Sequence, residues 1–143
     1  MRLLPAPVSL VLVLALAACG GGEEGGTPAA SGSVEGAAWV LVAGVGVDGW
    51  EATPPTATFG GGTVAGSTGC NRYSASYALD GEALELGPIA STRMACPPPA
   101  DAVEREYVAA LERVAGWRLD GEQLVLLDEG GAELLRFDPR SEG

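Results

Sequence analysis

The sequence predicts an α+β domain: about seven to eight mostly antiparallel strands forming a curled sheet or open barrel, with one amphipathic helix at about 102–115. Three observations carry that prediction. Between residues 37 and 138, short apolar or alternating runs are separated by glycine-bearing turns, which is strand-and-hairpin grammar. A single stretch in that range, following Pro97-Pro98-Pro99, switches to helical spacing. The span is also of ordinary size for one domain with one core.

The first element, AAWVLVAG (37–44), is an apolar Val-rich run. TATFG (56–60) and TVAGST (63–68) flank Gly60-Gly61-Gly62 as strand, turn and strand. RYSASYAL (72–79) alternates, with Tyr73, Ala75, Tyr77 and Leu79 on one face. Asp80-Gly81 marks a tight hairpin turn, since glycine tolerates positive φ, and ALELG (83–87) returns. WRLDGEQLVLLDEGGAELLRFD (117–138) repeats the pattern as three short strands, with turns at Asp120-Gly121 and Asp128 to Gly131. Within DAVEREYVAALERVAG, Val103, Tyr107, Ala110, Leu111 and Val114 share a helical face. Asp101 is the expected N-cap, Glu104 the matching residue of a capping box, and Gly116 the expected C-terminal stop.

The N-terminus follows different rules. Arg2, the apolar run Val8 to Leu16 and the small residues before Cys19 have the layout of a secretory signal over 1–18. Leu16-Ala17-Ala18-Cys19 resembles a bacterial lipobox, in which the cysteine is acylated, palmitate being a usual chain. Each buried methylene of such chains contributes roughly 0.8 kcal/mol to membrane binding. The alternative is an ordinary signal cleaved after Ala18. Residues 19–36 then form a Gly-rich tether with no apolar periodicity. The folded body covers 37–138, and 139–143 is a tail.

The formal charge is −11, with eight arginines and no lysine among the cations. Such a field repels phosphate backbones, so nucleic acid is not an expected partner. The expected partners are a membrane, through the anchor, and an unidentified envelope protein or component. Histidine is absent, which removes Ser-His-Asp and Cys-His catalysis and His-based metal sites. Without lysine, Schiff-base chemistry and a P-loop clamp are also excluded. No cofactor, metal or catalytic residue is expected; DEGGAE (128–133) is the nearest stretch to a Ca²⁺ loop and lacks its alternating ligands.

GCNRYSASY (69–77) poses the remaining question. With Cys19 taken by lipid, Cys70 and Cys96 are left as a pair, and exported domains sit where such pairs close. A bridge around 71–95 would stabilise the fold by about 3.5 kcal/mol. The competing reading is a reactive thiol, its pKa depressed by Arg72 or Arg93. Asn71 either satisfies buried amides or serves a ligand, and Arg72 either pairs with a neighbouring acid or offers its fork to a carboxylate.

GSTGCNRYSASY (66–77), GPIASTRMACP (87–97), the helix and LVLLDEGGAELLRF (124–137) together resemble a META domain of the HslJ type. The resemblance runs from Trp39 to about Phe137, with Ala75 where the family often has glycine. It implies a compact β-rich fold with one helix, an envelope lipoprotein, and a link to heat-shock response and antibiotic tolerance, without an established catalytic mechanism. The residues it marks as candidates for binding are Asn71, Arg72, Thr92 and Arg93. The expected function is therefore a non-catalytic, extracytoplasmic lipoprotein module supporting envelope stress tolerance, on the outer membrane where the organism has one. The alternative is a carrier holding an apolar small molecule or lipid tail within the curled sheet.

Overall fold

The computed structural model describes residues 32–140. The signal, Cys19, most of the tether and residues 141–143 lie outside the described residues. Among the described residues nine strands occur: β1 (Ala38–Ala43), β2 (Thr56–Gly60), β3 (Thr63–Ser67), β4 (Arg72–Asp80), β5 (Ala83–Leu86), β6 (Ala90–Ser91), β7 (Gly116–Asp120), β8 (Gln123–Leu127) and β9 (Glu133–Pro139). The helix α1 (Ala100–Leu111) lies between β6 and β7, and a short 3₁₀ turn covers Trp50–Ala52.

From β1 to β5 and from β7 to β9 consecutive strands pair antiparallel; β5 pairs with β7 and β1 with β9, so the sheet closes into a ring. The long β4 has β3 on one side and both β5 and β6 on the other. Hairpin turns at Gly81 (φ 59°) and Gly121 (φ 62°) need the left-handed backbone that glycine adopts without strain. Strand alternation fills the ring: Leu41, Phe59, Val64, Tyr73, Leu84, Leu124, Leu126, Leu135 and Phe137 all point into one core.

The helix packs over the end of the ring where β3 finishes and β2 and β4 begin. Val103, Tyr107 and Leu111 form its buried face. Tyr107 is fully buried and stacks edge-on against Tyr73 and Phe137, with centroids 5.6 and 6.4 Å apart. Its hydroxyl lies 2.8 Å from that of Tyr73, and both reach the Thr56 carbonyl.

Three local expectations change. The helix starts at Ala100, with Pro99 at the cap position and no side-chain cap, so Asp101 sits inside the first turn. There it pairs with Arg105 at 3.4 Å on the surface. Glu104 does not close a capping box; its carboxylate turns to Thr68 and Asn71 instead. Gly116 opens β7, where a Cβ would press on the Glu82 carbonyl at 3.1 Å. The folded body also begins before residue 37. Val34 is fully buried, its carbonyl accepts the Trp39 indole N–H at 2.9 Å, and Gly36 donates to Phe59.

Candidate functional site

The four residues singled out from sequence come together where β4 begins, and they separate into two kinds. Cys70 and Cys96 form a disulfide with Cα atoms 5.9 Å apart, which joins the entry of β4 to the segment leading into the helix. Asn71, next to it, is buried and fully engaged. Its Oδ1 accepts from the Met94 N–H at 2.8 Å and the Thr92 hydroxyl at 3.0 Å. Its Nδ2 donates to the Met94 carbonyl at 3.2 Å and to both Glu104 oxygens at 3.0 and 3.1 Å. Thr92 Oγ1 in turn accepts the Arg72 N–H at 3.1 Å. Asn71 and Thr92 therefore hold three chain segments together, and their polar atoms are spent doing so.

Thr68 and Glu104 complete this network; the sequence marked neither for the site, and Glu104 only as a capping-box residue. Thr68 Oγ1 accepts from the N–H groups of Cys70 and Asn71 and lies 3.0 Å from Glu104 Oε1. The Thr68-Gly69 pair is a readable turn signal. Glu104 gives none, because its partners lie more than thirty positions away.

Arg72 and Arg93 are the other kind. Both are exposed, and neither forms an ion pair among the described residues. Beside them Met94 is 63% exposed, the one large apolar side chain so exposed among the described residues. Two cations and an apolar side chain thus stand on a disulfide-fixed edge of an acidic protein.

A second polar cluster lies on the outer face of β7, β8 and β9. Arg136 donates to Asp120 at 2.8 Å, to Gln123 at 2.7 Å and through two nitrogens to Glu133 at 2.8 and 2.9 Å. This guanidinium holds both the Asp120 and Glu133 carboxyls below their ordinary range, and they raise Arg136 in return. Beneath it sits Val125, flanked in register by Arg118 and Arg136 and fully buried although it faces outward. The arginine stems cover it.

The carrier reading requires a continuous apolar cavity, and the ring interior is filled by its own side chains, Phe59, Leu84, Tyr107, Leu124, Leu126 and Phe137 among them fully buried. A groove of about 980 Å³ lies on the outside, between β5 and the chain around Val114 and Asp128. At DEGGAE, Asp128 Oδ1 accepts from the N–H groups of Gly130 and Ala132, both at 2.9 Å, so this carboxylate closes a turn.

A closed antiparallel ring with one helix packed on its end and a cysteine bridge beside the β4 entry defines a small α+β barrel module. The family model for the META domain matches residues 32–141, and the chain belongs to that family. A protein from Burkholderia xenovorans with a structure determined by NMR is 31% identical, with a TM-score of 0.61, over 76% of this chain and 85% of that one. A second NMR structure is 26% identical, with a TM-score of 0.55, over 73% and 90% of the two chains. A crystal structure of a DUF4847 family protein from Bacteroides vulgatus shares the fold at 18% identity, with a TM-score of 0.56 over 77% and 96%. No curated protein matches the sequence.

Proposed function

We propose that this META-domain protein is a non-catalytic binding module, anchored by lipid on Cys19 to the extracytoplasmic face of the outer membrane where one exists, and supporting tolerance of envelope stress. The observation that carries the reading is the exposed Arg72, Arg93 and Met94 face, held by the Cys70–Cys96 bridge. A bridge suits an oxidising compartment, in keeping with the lipobox-like Leu16–Cys19 segment. An exposed cation pair beside an apolar side chain suits an anionic surface on another envelope component.

The test expresses the full chain in a bacterial host. The parent protein is expected in the membrane fraction with a mass raised by acyl chains, and Cys19→Ser in the soluble fraction. A photo-crosslinking residue replacing Met94 is expected to yield one adduct under envelope stress, lost in Arg72→Glu/Arg93→Glu. A soluble, unacylated parent, or an adduct indifferent to that charge reversal, overturns the reading.

A further inference from the structure

The ring is not evenly hydrogen-bonded. β5 and β7 are in register only at Ala83 and Gly116, and their last contact is the Leu84 N–H to the Ala115 carbonyl at 3.1 Å. Beyond that point the chain before β7 turns away into the helix. Glu112, Arg113 and Val114 spend their N–H groups on Val108, Ala110 and Leu111, and Ala115 donates to Leu127. The far end of β5 is thereby left without a neighbour on the side away from β4 among the described residues. Alternation in the ladder decides which groups are open. Tyr77, opposite Leu86, donates its N–H away from β5 to Gly62, whereas Gly87 donates to Ser76. Leu86 therefore directs both its N–H and its C=O into the external groove. No partner meets these groups among the described residues.

An unpaired strand edge is a template for another strand, and added strands bind through such main-chain groups. The walls decide which strand fits. Asp80, Glu85, Glu112, Asp128 and Glu129 border the groove against one cation, Arg113, which already lies 3.4 Å from Asp128. The floor carries Leu79, Leu86 and Val114. A second copy of this chain would set Glu85 and a net charge of −11 against the same surface, and the 20–36 segment contains glutamates and no cation. We infer that the β5 edge takes an extended, lysine- or arginine-bearing peptide segment of a partner, paired to Leu86, with alternate apolar side chains facing the floor. This surface is separate from the Arg72–Arg93 face, and binding to it requires neither the anchor nor export.

The test uses the full chain in neutral detergent micelles with two heptapeptides, alternating Lys-Val and alternating Glu-Val. The Lys-Val peptide is expected to bind saturably and to slow hydrogen exchange at the Leu86 N–H by about tenfold or more. The Glu-Val peptide is expected not to bind. Glu85→Lys/Glu112→Lys, at two exposed positions, is expected to weaken the Lys-Val peptide by about tenfold or more. Leu86→Pro removes the open N–H without touching the β4 ladder and is expected to abolish binding. Should that variant not fold, a Lys-Val peptide N-methylated at alternate residues replaces it and is expected not to bind. Equal binding of the two peptides, no binding at millimolar concentration, protection elsewhere than Leu86, or Leu86 protection through self-association without peptide each overturns the proposal.

Discussion

Asn71 presents its side-chain amide to both oxygens of Glu104, at 3.0 and 3.1 Å, and so ties the entry of β4 to the first turns of the helix. Asn71→Asp sets carboxylate against carboxylate and removes the donor from the Met94 carbonyl. It is expected to cost about 3 kcal/mol, with at least ~1 kcal/mol recovered in Asn71→Asp/Glu104→Gln, where a donor is restored. Urea unfolding of the four proteins measures this. Additive losses would show that the two side chains are not coupled.

Reducing the Cys70–Cys96 bridge frees the 71–95 loop in the unfolded chain. The expected loss is about 3.5 kcal/mol, visible as a lower urea midpoint for the reduced protein and for Cys70→Ser/Cys96→Ser. The Asn71 network still joins those segments, so the reduced protein is expected to remain folded in water. An unchanged midpoint would remove the bridge from the stability account.

Acid acts on the outer face. Asp120 and Glu133 have folded pKa values below their unfolded values of 3.8 and 4.5 because Arg136 binds their charged forms. Their contribution is present above the unfolded values and is lost as pH falls through the folded ones. Urea midpoints are expected to fall from pH 5 towards pH 2 in the parent and to fall less in Arg136→Gln. Parallel profiles would show that the cluster contributes nothing.

Alkali acts on the core. Burial pushes the Tyr73 and Tyr107 phenols well above 10, so their neutral forms are favoured in the folded state. This contribution is complete below the unfolded pKa and is lost as pH rises above about 10. Phenolate absorbance of these two rings is expected to appear together with unfolding. Titration near pH 10 with the fold intact would contradict their burial.

Gly66 lies against the Thr56 main chain, and a methyl there would collide with the Thr56 carbonyl. Gly66→Ala is expected to cost ~2 kcal/mol or more, whereas Gly60→Ala, which faces open space at an ordinary φ, stays within about 0.5 kcal/mol. Thermal unfolding of both variants checks the contrast.

Strand identity and the single helix were legible because period-two and period-3.6 patterns report burial directly, as at Tyr73, Ala75 and the Val103–Tyr107–Leu111 face. The helix start was not, because Asp101 looks like a cap from sequence while the chain leaving Pro97-Pro98-Pro99 already enters the helix at Ala100. The two-residue β6 carries too little pattern to register. The cysteine pair could be argued from compartment and count. Asn71 could only be left open, since the deciding partner, Glu104, is brought to it by the fold. Val125 breaks alternation for a similar reason: its cover comes from arginines on two other strands.

The ladder between the first and last strands has one more consequence. Trp39 stands opposite Pro139, and Arg140 donates its N–H to Ala38 at 2.7 Å, so the start of β1 and the end of β9 lie side by side. A linker that runs from residue 140 past Ala38 to residue 32 can therefore join the ends, and new termini can be opened at the Gly61-Gly62 tip, where nothing crowds either glycine. Such a permuted chain keeps every strand neighbour and changes only the order in which they are made.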